Sequence, residues 1–89
     1  MPERQILICN KLGLHARASA RLVSTAGQFS SEIMLIKDNM EVNAKSIMGI
    51  MMLAACKGTE LTLKADGSDA EDALEAIEQL VNNRFGEDV

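Results

Sequence analysis

Glu60-Leu61-Thr62-Leu63-Lys64-Ala65, running on through Asp66-Gly67-Ser68-Asp69-Ala70-Glu71-Asp72-Ala73-Leu74, changes its hydrophobic period from two residues to about 3.6 across the Asp66-Gly67 pair. Before the pair, Leu61, Leu63 and Ala65 alternate with polar residues, the pattern of a strand with one face in a core and the other in water. After it, Ala70, Ala73, Leu74, Ile77, Leu80 and Val81 trace one apolar stripe of a helix, and Ser68 stands at capping-box spacing from Glu71. Asp69, Glu71 and Asp72 fall in the first turn, where the helix dipole favours negative charge. A one-sided strand handing over to a one-sided helix predicts helices laid on one face of an antiparallel sheet.

Working outward gives the same architecture. Glu3 to Cys9, alternating around Ile6 and Ile8, reads as a first strand, and Asn10 to His15 as a loop around Gly13. From Ala16 a helix is predicted, with Ala16, Ala20, Val23 and Gly27 at helical spacing beside Leu22 and Ala26. Ser31 to Lys37 and Glu41 to Ala44 flank Asp38-Asn39-Met40 as a hairpin. Ser46 suits the N-cap of a short helix over Ile47 to Cys56, closed by Gly58. The expected fold is α+β, an open-faced sandwich: a four-stranded antiparallel sheet with three helices on one face, in the order β-α-β-β-α-β-α.

At 89 residues and 9.6 kDa, residues 1–89 are expected to form a single domain. The apolar 47% is aliphatic, alanine and methionine, with Phe29 and Phe85 the only aromatics. That composition and a net charge of −4 exclude a base-stacking nucleic-acid surface. Cys9 and Cys56 are too few for a disulfide framework and, with one histidine, make a poor metal set, so they read as reduced and structural. No apolar run is long enough to span a membrane, and Met1-Pro2-Glu3-Arg4 lacks signal-peptide architecture, so a cytoplasmic location is expected. Charge is segregated: residues 1–65 hold eight bases against five acids, residues 66–89 one base against eight acids. The basic part suits an acidic partner or a phosphate, whereas a solvated acidic helix face accounts equally well for the last stretch.

His15, the only histidine, opens the first helix two residues before Arg17. Alone, such a residue serves equally as a cap or an ordinary surface group. At a helix N-terminus, however, unpaired N–H groups and the dipole make an anion site, where an imidazole can hold a phosphoryl group and Arg17 can bind its oxygens. No acid–base pair or second nucleophile accompanies His15, so an independent enzyme is not expected.

Asn10-Lys11-Leu12-Gly13-Leu14-His15-Ala16-Arg17 resembles the active-site loop of the HPr family, the histidine-containing phosphocarriers of the bacterial phosphoenolpyruvate phosphotransferase system. Asn43-Ala44-Lys45-Ser46-Ile47-Met48-Gly49-Ile50-Met51-Met52 resembles that family's second signature, around its regulatory serine, at the family's spacing. The resemblance implies an HPr-like fold and a covalent relay. Enzyme I would phosphorylate Nδ1 of His15, and the phosphoryl group would pass to an enzyme IIA domain, with Arg17 at the catalytic centre and no cofactor or metal. It also implies regulatory phosphorylation of Ser46 by HPr kinase/phosphorylase, although N-capping alone would account for a serine there. Ala18 stands where the family commonly has proline, which also resembles the nitrogen-related paralogues called NPr. The alternatives are therefore a nitrogen-branch relay, or a signalling protein read mainly through phospho-Ser46.

Ile47 to Cys56 is apolar nearly all round, which fits either a buried helix or an exposed docking patch. On the second reading Leu12, Ala16, Ala20, Ile47, Met48 and Met51 form an apolar centre rimmed by Arg17, Arg21 and Lys45, facing acidic partners. A monomer is expected, with no nucleic acid bound and no membrane insertion.

Overall fold

The structure, a computed structural model, describes residues Met1–Val89 throughout. Its elements are β1 (Glu3–Leu7), α1 (Ala16–Ala26), β2 (Glu32–Lys37), β3 (Met40–Asn43), α2 (Ile47–Met52), β4 (Glu60–Asp66) and α3 (Ala70–Asn82), followed by a single 3-10 turn, Arg84–Gly86. The sheet order is β1-β4-β2-β3 with every pair antiparallel, so β4, whose alternation is cleanest, lies between β1 and β2. Leu61, Leu63 and Ala65 pair across the ladder with Ile6, Leu35 and Ile33 on the side that is buried. The helices contribute Ala18, Leu22, Ala26, Ile50, Ala73, Leu74, Ile77 and Val81 to the same core. The predicted α+β sandwich is the fold that forms. No helix is long and apolar enough to cross a membrane.

Local departures have physical causes. The stripe of α1 runs through Ala18, Ser19, Leu22 and Ala26, while Ala16 and Ala20 are exposed. Arg17, Arg21 and Ser24 mark the outer side of the helix, and Ala16 and Ala20 fall beside them, opposite Leu22 and Ala26. The helix predicted to reach Cys56 stops at Met52, because Ala54 turns into the left-handed region at φ 51° and lets both Leu53 and Ala55 reach the core. The hairpin turn is shorter by one residue, since Met40 already pairs with Lys37 and Asp38 takes the left-handed conformation at φ 53°. Ser68 does not cap α3. Asp69 occupies the N-cap, and its carboxylate accepts the N–H groups of Ser30 and Ser31 at 2.8 and 3.0 Å and both their hydroxyls. That carboxyl is lowered to about 2, chiefly by the Ser31 hydroxyl and the Ser30 N–H. Cys9 and Cys56 are free thiols; Cys9 donates to the Val81 carbonyl at 3.2 Å, but Cys56 is exposed rather than part of the core.

Candidate phosphoryl-acceptor site

The loop before α1 is held from both sides. Gly13, at φ 67°, lies so close to the segment after α2 that a Cβ would stand 2.5 Å from the Ala55 carbonyl oxygen. The Leu14 N–H donates to that same oxygen at 2.9 Å. Behind it, the Ser19 hydroxyl donates to the Leu14 carbonyl at 3.2 Å, and the fully buried Asn10 donates from Nδ2 to the Gly13 carbonyl at 2.8 Å. A loop fixed at Asn10, Gly13 and Leu14 presents the next residue, His15, as the N-cap of α1 in extended conformation at φ −76°, ψ −178°.

The His15 side chain makes no capping bond. The N–H groups of Ala16, Arg17 and Ala18 have no main-chain acceptor, and they point out of the positive end of the helix. Proline at the third of these positions would lack its N–H, so Ala18 adds a donor while its methyl group is fully buried. His15 Nε2 pairs with Glu87 Oε2. An ionised carboxylate only accepts, so this pairing calls for a hydrogen on Nε2, and in a neutral ring of that form the lone pair is on Nδ1. Arg17 is exposed and has no partner within the chain. Leu12, His15, Ala16, Arg17, Glu87 and Val89 line one open depression of about 500 Å³.

Glu87 is the part of the site that the sequence alone does not single out, since there the acidic end reads as a solvated helix face. Burial pushes its carboxyl up, but hydrogen bonds from Asn10 and His15, with the charges of His15 and Arg21, outweigh that and hold it below the usual carboxylate range. The signal that could have found it is Phe85, one of only two aromatics in the chain, which is fully buried and anchors the tail.

The remaining predicted residues fall into two groups. Ile47, Met48 and Met51 are exposed on α2, Met48 by 77%, and Leu12 is exposed by 65% on the loop before α1. Arg21 and Lys45 are turned to structural work: Arg21 donates to the Phe85 carbonyl, and Lys45 Nζ donates to the Phe29 carbonyl at 2.7 Å. Ser46 caps α2, its hydroxyl oxygen accepting from the Gly49 N–H at 3.1 Å.

Known proteins resemble the chain in sequence and in fold. The family model described as "PTS HPr component phosphorylation site" matches residues 2–83. The phosphocarrier protein HPr of Neisseria meningitidis is 53% identical over 87 residues, covering 98% of each chain, and that of Xylella fastidiosa is 50% identical over 88 residues, covering 99% of each. Among solved structures, HPr-C-His from Thermoanaerobacter tengcongensis superposes with a TM-score of 0.96 at 50% identity over the whole of both chains. A likeness of this extent, in sequence and in fold alike, places the chain in the HPr family, the phosphocarriers of the phosphotransferase system.

Proposed function

We propose that this chain accepts a phosphoryl group from phosphorylated enzyme I on Nδ1 of His15 and donates it to an enzyme IIA domain. The observation that carries the reading is the state of His15: Nε2 is committed to Glu87, and the ring stands at the N-terminus of α1, which has three unused N–H groups. Those groups and the unpartnered Arg17 suit a phosphoryl group on the adjacent Nδ1. The partner's own active site supplies the other half of each transfer, so the chain acts as a covalent carrier of one domain and needs no metal or cofactor. Leu12, Ala16, Ala20, Ile47, Met48 and Met51 supply an apolar docking surface, and adaptable methionines suit a carrier that must fit more than one partner. Phosphorylation of Ser46 would add about −2 charge at the start of α2 and oppose acidic partners.

The test incubates the protein with enzyme I and phosphoenolpyruvate, followed by mass spectrometry and by transfer to enzyme IIA domains of the sugar and nitrogen branches. The parent becomes labelled with an acid-labile, base-stable phosphoramidate, and His15→Ala does not. Arg17→Ala keeps its thermal midpoint but transfers slowly, because contacts to a moving phosphoryl group are worth a few kcal/mol in the transition state. Undiminished labelling of His15→Ala would exclude the reading. Preference among the IIA domains assigns the branch.

A further inference from the structure

We propose that Glu87 is a positioning residue for His15, holding the ring as its Nε2–H tautomer and offsetting the charge that the ring acquires when Nδ1 takes the phosphoryl group. This rests on the relay proposed above.

The carboxylate is itself oriented. Oε2 meets His15 Nε2, while Oε1 accepts from Asn10 Nδ2 at 2.9 Å. Asn10 is fully buried, and through the Gly13 carbonyl it also holds the loop that presents His15. His15, Glu87 and Asn10 thus form a chain of three groups, the geometry in which a carboxylate fixes the tautomer of an imidazole that reacts at its other nitrogen.

The tail is built to deliver this carboxylate. Arg84 and Phe85 both sit at φ 55°, in the left-handed region that side chains disfavour, and Gly86 follows at φ 79°. Backbone strain of this kind persists only where surrounding contacts over-determine it, and it collects at functional sites. Here the contacts are the buried Phe85 ring, Arg21 donating to the Phe85 carbonyl, and the Lys11 N–H donating to the Val89 carbonyl at 3.1 Å. Between these anchors Glu87 has a side chain only 12% exposed, whereas Asp88 beside it is exposed and unpaired.

The transfer step balances without moving a proton on His15. The Nδ1 lone pair forms the new N–P bond, the N–P bond of the partner's phosphohistidine breaks, and that electron pair returns to the partner's ring nitrogen. Nε2 keeps its hydrogen throughout, and the positive charge left on the His15 ring is shared with the Glu87 carboxylate. A ring protonated at Nδ1 would first have to lose that proton.

Nitrogen NMR of the His15 ring, about two pH units above the ordinary imidazole value, reads the tautomer in the parent, Glu87→Gln, Glu87→Ala and Asp88→Ala. Rapid-quench transfer from phosphorylated enzyme I reads the rate on the same proteins. The parent and Asp88→Ala show the Nε2–H form. Glu87→Ala mixes both tautomers and transfers about ten-fold slower or worse, the cost typical of losing a group that orients a reacting histidine. Glu87→Gln, which keeps an acceptor oxygen and loses the charge, keeps the tautomer and recovers part of the rate. Unchanged tautomer and rate in Glu87→Ala would overturn the proposal, as would faster transfer, which would make the tail an obstruction. A parent that takes no phosphoryl group sinks the relay instead, and the tautomer populations, which need no partner, still decide where Glu87 holds the proton.

Discussion

Gly13 shows how much one residue decides at this site. A side chain there would meet the Ala55 carbonyl oxygen at 2.5 Å and the Cys56 Cα at 2.8 Å, both main-chain atoms that cannot swing aside, and the φ of 67° is costly for any residue but glycine. Gly13→Ala is therefore expected to lose about 2 kcal/mol or more in urea denaturation, and to slow phosphoryl transfer further by moving the loop that presents His15. Wild-type stability would mean that the loop has room to relax. Ser46 carries the opposite expectation. Its hydroxyl oxygen accepts from the Gly49 N–H at 3.1 Å, a service that an aspartate performs equally well while adding charge favourable to the helix start. Ser46→Asp should melt at the same temperature or higher and show a raised KM with enzyme I, since like charges across an interface cost several kcal/mol. Unaltered kinetics would leave Ser46 as a cap and nothing more.

At the scale of elements, α2 is where an all-apolar sequence hides its geometry. Ile50 and the capping Leu53 face the core, while Ile47, Met48, Met51 and Met52 are exposed. Met48→Ala is expected to change folding stability by less than about 0.5 kcal/mol and to cost about 1 to 2 kcal/mol in affinity for enzyme I. Ile50→Ala, on the inner face of the same helix, should lose roughly 2 to 5 kcal/mol of stability. Equal unfolding midpoints for the two variants would contradict the assigned faces. The contrast with β4 explains what was legible. Leu61, Leu63 and Ala65 alternate with Thr62 and Lys64, and that polar contrast reveals the buried side of the strand. No such contrast exists in α2, so its inner face emerges only from packing. In α1, Arg17, Arg21 and Ser24 mark the outer side and leave only the alanines to be sorted by their position beside or opposite them. Nor does composition announce Ala54 or Phe85 in left-handed conformations, because the reward for that strain is the burial of neighbours and the delivery of Glu87. His15, Arg17 and Ser46 were legible as candidates because they stand in contiguous motifs. The His15–Glu87 pair, 72 positions apart in the chain, was not.

For the whole molecule, the segregation of charge along the chain becomes a set of ties between its two ends. Arg4 on β1 reaches Glu75 and Glu78 on α3 at 3.0 and 2.7 Å. Glu87 closes on His15 and Asn10, and Asp69 binds the Ser30–Ser31 turn between α1 and β2. The acidic end is thus more than a solvated face, and acid should loosen the molecule at these ties. Asp69 carries the largest expected effect, its carboxyl standing at about 2 in the folded chain against an ordinary value of 3.8. A carboxyl lowered on folding stabilises in its ionised form. Its contribution is therefore complete above the unfolded value and disappears as pH falls from about 4 through about 2. Glu75, held low mainly by the Arg4 hydrogen bond, and Glu87 act in the same direction, so the parent should lose stability steadily across this window. Asp69→Asn isolates the single tie: less stable than the parent near pH 7, it should approach the parent as pH falls, since both then carry an uncharged group at position 69. Denaturant midpoints for the two proteins, collected in steps from about pH 7 down to about pH 2, measure that convergence. A constant gap at every pH would mean that the Asp69 charge contributes nothing and that only the shape of its side chain holds the turn.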